Sequence, residues 1–293
     1  MMTRAQAASR REAVRFVSCS QPMAGAFLNA VPKYEAFRLP SWAMRIAVQR
    51  RLGLPLLASA AAGEIFGKHG RRYDELGDVA QNDGCEGHAS RHFLILNKIF
   101  DALRRVYGSM VKKEPTNYED YSDHRPDLTL MSDAFLALDL KVFDPLGATA
   151  ADVELRGAFV AFGNTAPEAT RVVNGRLQRG VPSDGNFQPR TGAGYVAPFP
   201  GDYARAQKAG VEARALLVEP SGACGPELVQ LLKDAAEWRR NKLTSSEYDE
   251  TTWSARTWLT FVRQRISVAI ATASSHEIAQ ALGMSVATDP RGQ

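Results

Sequence analysis

In the segment RPDLTLMSDAFLALDLKV, residues 125–142, three charged side chains fall among the apolar residues of two strand-like runs: Asp127, Asp139 and Lys141. A charge is costly to bury unless it is paired or coordinated. Two carboxylates brought face to face repel each other and call for a cation between them. A hard divalent ion with oxygen ligands answers that need, and Mg²⁺ typically takes one or two carboxylates together with substrate phosphate and water. A lysine beside such an ion would orient or polarise an attacking water and stabilise charge on a phosphate. The same trio has a plainer chemistry open to it, an Asp–Lys ion pair on a solvated sheet face.

Whether the trio meets depends on how the segment folds. It reads as two strands joined by a tight turn. Side chains alternate along a strand, so Asp139 and Lys141 share a face, and the turn length decides where Asp127 falls. A two-residue turn sets Asp127 opposite Leu138, facing away from Asp139. A three-residue turn, Ser132 to Ala134, sets it opposite Asp139 and also pairs Leu128 with Leu138 and Leu130 with Leu136. Leu140 and Val142 then extend one apolar face. Hydrophobic matching selects the second register, and with it the cluster of two acids and a lysine.

Other elements must support that hairpin. SRHFLILNKIFDALRRVYG carries Leu96, Ile99, Phe100, Leu103 and Tyr107 at three- and four-residue spacing, predicting a helix over about 89–107 stopped by Gly108. Its apolar face is expected against the apolar side of the hairpin, leaving the charged side toward a cleft. A helix is expected over about 41–52, closed by Gly53 and Pro55. SMVKKEP reads as a short strand ended by Pro115, and ARALLVEP as a buried strand. Residues 225–240 and roughly 251–273 read as helices, the latter with Trp258, Phe261, Val262, Ile266, Ala269 and Ile270 on one face. Residues 145–201 read as irregular, with ten Gly or Pro among positions 175–201. Helix, three strands, loop, strand, helices is the order of an α/β or α+β sandwich, not of an alternating parallel sheet.

Composition bounds the chemistry. The chain has 293 residues, 45% hydrophobic and 23% charged, an ordinary globular composition. No apolar run approaches the ~18–20 residues that span a bilayer. The basic N-terminus, MMTRAQAASRREAVRF, lacks the apolar stretch of a secretory signal; being Arg-rich and acid-poor, it leaves an organelle transit peptide open. Cys19, Cys85 and Cys224 are too few and too scattered for a disulfide framework and suit a reducing, intracellular compartment. Cys224 has no evident His partner for nucleophilic chemistry and reads as a small buried residue. No Gly-rich phosphate loop is present. Residues 1–52 hold nine Lys/Arg against two acids. Such an arm either attracts polyanions or is a solvated helix surface.

The spacing PD, eleven residues, DLK resembles the PD-(D/E)xK signature of restriction-endonuclease-like nucleases. Beyond it, the chain resembles the C-terminal endonuclease portion of eukaryotic retroelement reverse transcriptases. The stretches that carry this likeness follow in family order: SCSQPMAGAFLNAVP, FRLPSWAMRIAVQRRLGLPL, YDELGD, SRHFLILNKIFDALRR, KKEP, HRPDLTLM, LALDLKVFDPL, AGVEARALLVEPSGACG and WSARTWLTFVRQRISVAIA. No polymerase segment accompanies them. The resemblance implies a restriction-endonuclease-like core with a mixed central sheet flanked by helices. It divides the chain into a basic helical segment 1–57, a Cys/His knuckle region 58–92, a nuclease core 93–220 with the irregular insertion 145–201, and C-terminal helices 221–293.

Carried to these positions, the resemblance implies a divalent-metal-dependent endonuclease acting on DNA. Asp127 and Asp139, with the backbone carbonyl of Leu140, would hold Mg²⁺ or Mn²⁺, and Lys141 would assist the water. Glu114 matches a position that keeps a further acid in such nucleases, and Glu219 matches a late strand. Arg45, Arg50 and Arg51 of the basic segment, Arg125, and the arginines at 171, 176, 179 and 190 are candidate phosphate contacts, which position DNA without reading it and make binding salt-sensitive. RNA or an RNA–DNA hybrid is an additional partner, the expected location is nuclear, and no membrane is involved. The family's Cys/His knuckle is altered here: Cys85, His88 and His92 remain and His69 stands at its second cysteine position, either as four Zn²⁺ ligands of acceptable type or as a decayed knuckle held by packing. A catalytically idle nucleic-acid-binding module derived from such a nuclease is the alternative.

Overall fold

In the computed structural model, residues 10–56, 70, 72–82, 87–115, 126–132, 135–142, 144, 146, 212–251 and 254–284 are described. The organising element is the hairpin of β2 (Leu128–Met131) and β3 (Phe135–Val142). Its antiparallel register pairs Leu128 with Leu138 and Leu130 with Leu136. This is the three-residue connection that hydrophobic matching selects. β1 (Val111–Lys113) adds antiparallel to β2, and β4 (Glu212–Val218) lies parallel to β3, giving a mixed four-stranded sheet in the order β1-β2-β3-β4.

One face of that sheet is dry. Leu128, Leu130, Leu138, Leu140 and Leu216 are all at most 1% exposed. They meet Ile95, Leu96, Ile99 and Leu103 of a helix spanning Gly87–Tyr107 within one core. Each such side chain contributes about 1.5–3 kcal/mol on full burial, so a slip that turned this face outward would cost more than any polar contact could return. Numbered in chain order, the helices are α1 (Arg10–Ser20), α2 (Ser41–Leu52), α3 (Asp78–Asn82), α4 (Gly87–Tyr107), α5 (Pro226–Trp238), α6 (Ser245–Glu250) and α7 (Trp258–Ala281). α2 ends where expected, at Gly53 in the left-handed conformation.

α7 corrects the expectation of a helix over roughly 251–273. Thr251 closes α6, and α7 begins only at Trp258, where the Thr257 hydroxyl accepts the Thr260 N–H. It then continues to Ala281, because its last turns are buried on polar as well as apolar sides. Ser275 donates to the Ala43 carbonyl, and Glu277 is fully buried against Arg91. The apolar periodicity that marked the helix fades before the helix does.

A second core joins the N-terminal segment to the far end of α7, through Ile46, Leu56, Tyr73, Val79, Ile278 and Leu282. Beside it runs a buried polar layer. Asp78 receives Arg15 at 2.7 Å and Arg50 at 3.1 Å, and Arg50 also reaches Gln81 at 3.0 Å and Asp144 at 3.8 Å. Gln81 donates to Glu277, which pairs with Arg91 at 2.6 Å. This chain of contacts ties α1, α2, α3, α4 and α7 together.

Candidate active site

Asp127 stands one residue before β2, on the sheet face opposite the core. Continuing the β2/β3 register by one position sets it across from Asp139. The backbone N–H of Glu114 donates to the Asp127 carbonyl at 2.8 Å, extending the β1/β2 ladder in the same way. Glu114, Asp127 and Asp139 therefore occupy one row across three neighbouring strands. Glu114 takes a left-handed backbone, φ +44°, unusual for a side chain of its size. Its link to Asp127 runs through the backbone.

The row sits where the ladder gives out, and Pro126 is the reason. In the same register Leu140 faces Pro126, which has no N–H to donate. Leu140 thus looks toward β2 with both backbone groups unmatched. Asp127 Oδ2 accepts the Leu140 N–H at 2.7 Å, and His92 Nε2, from the second turn of α4, lies 3.2 Å from the Leu140 carbonyl oxygen. The same Nε2 is 3.2 Å from Asp127 Oδ2. Lys141, half-buried, closes the other side with Nζ 2.8 Å from Asp139 Oδ2.

The electrostatics follow from this crowding. Burial alone would raise Asp127, but hydrogen bonds from His92 and Asp139, the nearby His92 charge and the Leu140 N–H hold it below the ordinary carboxylate value. Burial pushes Asp139 up to about 6; Lys141 pulls the other way, while the hydrogen bond and charge of Asp127 add to the rise. The hydrogen bond to Asp127 raises His92, against the effect of its burial. Two acids that share a site and split their protonation behaviour are short of positive charge. Among the described residues, however, no three His, Cys, Asp or Glu side chains are already gathered as ligands of an ion. The Asp139–Lys141 ion pair of the plainer chemistry is formed, but with Asp139 buried rather than on a solvated face.

The remaining expected residues are distributed unevenly. Arg45 is exposed on α2. Arg50 corrects the expectation of a phosphate contact: it lies one turn from Ile46 on the buried side of α2 and is held by Asp78 and Asp144. Arg51 is half-buried and donates to the backbone carbonyls of Ala24 and Cys19. Arg125 and the arginines at 171, 176, 179 and 190 lie outside the described residues, as do His69, Cys85 and the side chain of His88. His92, grouped with them in sequence, is directed to the acidic row instead. Two exposed lysines were missed. Lys112 shares the face of the acids, and Lys113, across from Leu128, donates to Asn97 at 3.0 Å. Their KK pair was legible, but only the β1 register shows which side Lys112 takes.

Glu219 follows β4 in a separate polar cluster. It is 1% exposed; Ser18 and Ser221 both donate to its Oε2, and Oε1 has no hydrogen-bond partner. Burial drives its pKa up to about 7, only partly offset by the two hydroxyls, with Asp144 adding to the rise. A cavity of about 40 Å³ lies beside this cluster, lined in part by Ser18, Cys19, Arg50, Asp144 and Ser221. It is distinct from the acidic row. Cys224 is buried as expected, its thiol pushed up to about 12 by burial. No helix among the described residues is long and apolar enough to cross a membrane. Compared with known protein families and with characterised proteins, the chain matches none.

Proposed function

We propose that the chain is a divalent-metal-dependent endonuclease that hydrolyses DNA phosphodiester bonds, built on a restriction-endonuclease-like core and derived from a retroelement, with a nuclear site of action. The observation that carries this reading is the register of the hairpin: it brings Asp127 and Asp139 to one row, sets Lys141 beside them, and leaves the Leu140 carbonyl without a ladder donor. Two carboxylates and a carbonyl are hard oxygen donors, the set that Mg²⁺ and Mn²⁺ prefer. In this reading Asp127, Asp139 and the Leu140 carbonyl hold the ion, and Glu114 is the further acid of the row. The bound ion supplies charge neutralisation at the phosphate and lowers the pKa of a water. Lys141, with more than a third of its side chain in solvent, orients that water and stabilises negative charge on the phosphate. Lys112 and Arg45 contribute phosphate contacts that fix the duplex without reading it. RNA–DNA hybrids are a further substrate class, and a Zn²⁺ site would fall to the knuckle residues His69, Cys85 and His88.

A second reading, a nucleic-acid-binding module without cleavage, is favoured by one specific observation: Lys141 and His92 already satisfy the two acids. Nicking of supercoiled plasmid in Mg²⁺ and in Mn²⁺ separates the two. The nuclease reading expects the wild type to nick and Asp139→Ala to lose at least about a hundredfold in rate, since removing one charge-stabilising group at a transition state typically costs 10²–10³. Retained DNA binding with no cutting by either protein establishes the binding module. No binding and no cutting would remove both.

A further inference from the structure

His92 has no role in the nuclease reading, yet its Nε2 lies beside two of the proposed ligands. It is 3.2 Å from Asp127 Oδ2 and 3.2 Å from the Leu140 carbonyl oxygen, so a single ring N–H forks toward two of the proposed ligands. For bonds of about 2.1–2.2 Å, adjacent ligands of an octahedral ion stand about 3.0–3.1 Å apart. The two separations are therefore close to two edges of such an octahedron, with the ring proton on the side of Nε2 that the ion would occupy. Resting on the nuclease reading, we infer that His92 is a fourth protein ligand of the catalytic ion, so that imidazole nitrogen, two carboxylates and one backbone carbonyl form the set.

The position of His92 suits that role. It lies in the second turn of a 21-residue helix, next to Arg91, whose ion pair with buried Glu277 anchors that part of α4 to α7. The ring edge is set by Phe93, packed edge-to-face at 5.6 Å between centroids. The imidazole is thus presented from a fixed element rather than from a loop. The consequence is a choice of metal. Mg²⁺ favours oxygen and binds imidazole poorly, whereas affinity for nitrogen rises from Mn²⁺ through Fe²⁺ to Co²⁺ and Ni²⁺. A site with His92 in it is a transition-metal site that tolerates Mg²⁺.

The rival account is that His92 only supplies the hydrogen bond that Pro126 cannot. Mn²⁺ alone, added to the purified full chain without DNA, distinguishes them. Electron spin-echo envelope spectra of bound Mn²⁺ are expected to carry the ¹⁴N modulation of a coordinated imidazole in the wild type and to lose it in His92→Ala. Loss of an outer-shell partner already weakens metal affinity about 10- to 100-fold, so removal of a ligand is expected to weaken Mn²⁺ by at least about tenfold, and Mg²⁺ by less. His92→Gln keeps an N–H donor and should restore neither the modulation nor the affinity. Mn²⁺ bound in a manner that depends on Asp127 and Asp139, but without ¹⁴N modulation, would overturn the ligand role and leave the nuclease reading standing. Absence of any Mn²⁺ binding that depends on those aspartates would overturn both.

Discussion

Glu219 shows what a single buried carboxyl does to the pH response of this molecule. Its hydroxyl partners serve one oxygen only, and the other is buried without a hydrogen bond. The charged form is therefore disfavoured in the folded state, and the pKa rises from 4.5 to about 7. The folded chain binds this proton more tightly than the unfolded chain does. The associated stability is complete below pH 4.5 and is lost as pH rises through 7, an amount on the order of 3 kcal/mol. Glu219→Gln removes the charge while keeping an acceptor for Ser18. It is expected to leave the melting temperature at pH 5 nearly unchanged and to raise it by several degrees at pH 8. Thermal unfolding at both pH values checks this; an equal shift at the two would show that the carboxylate is not the cause. Sequence alone flagged Glu219 through a resemblance but could not show this environment. Its partner Ser18 lies 201 residues away, and no local pattern encodes a contact of that separation.

At the scale of elements, the hairpin was legible because its information is local and redundant. Four leucines match in only one register, and that register carries the acids with it. The ends of α2 and α4 were legible for a similar reason, since Gly53 and Gly108 both adopt positive φ where each helix stops. What stayed hidden were the features set by tertiary partners: the polar last turns of α7, the split of α2 into exposed Arg45 and buried Arg50, and the turn of His92 toward Leu140 rather than toward a knuckle. The turn after β4 is another such feature. Gly222 holds φ +92°, and a Cβ there would lie 3.1 Å from the Ala24 carbonyl oxygen and 3.3 Å from its Cα. The same turn accepts the chain after α1 through the Cys224 N–H and the Pro22 carbonyl. Gly222→Ala is expected to cost roughly 1–3 kcal/mol for the backbone conformation, with a further penalty for the close approach. Gly108→Ala is the control, having φ +60° but open space around the added carbon. Urea unfolding should rank Gly222→Ala well below Gly108→Ala; equal losses would show that conformation, not contact, sets the cost.

Across the whole molecule, the buried polar layer decides how the arms of the fold hold the acidic row in place. Asp78 is fully buried and answers two guanidinium groups, Arg15 from α1 and Arg50 from α2. Through Gln81 and Glu277 the same layer reaches Arg91, the neighbour of His92 on α4. A buried ion network of this kind adds little over a well-packed apolar equivalent, yet breaking it by removing one member leaves uncompensated charge and costs about 3–5 kcal/mol. Asp78→Ala is therefore expected to lower the urea midpoint sharply with little change in the slope of unfolding against urea. Arg45→Ala, on the exposed side of α2, should stay within about 0.5 kcal/mol of wild type. The two variants also test why basic character in this segment is a poor guide to phosphate binding. If Asp78→Ala proves as mild as Arg45→Ala, then Arg15 and Arg50 are not committed to the interior, and Arg50 returns as a contact for a polyanion. If it is severe, and Arg15→Met with Arg50→Met in the same background recovers much of the loss, the arginines belong to the scaffold. The positive charge left for a nucleic acid on this part of the surface is then Arg45 and its exposed neighbours rather than the whole basic arm.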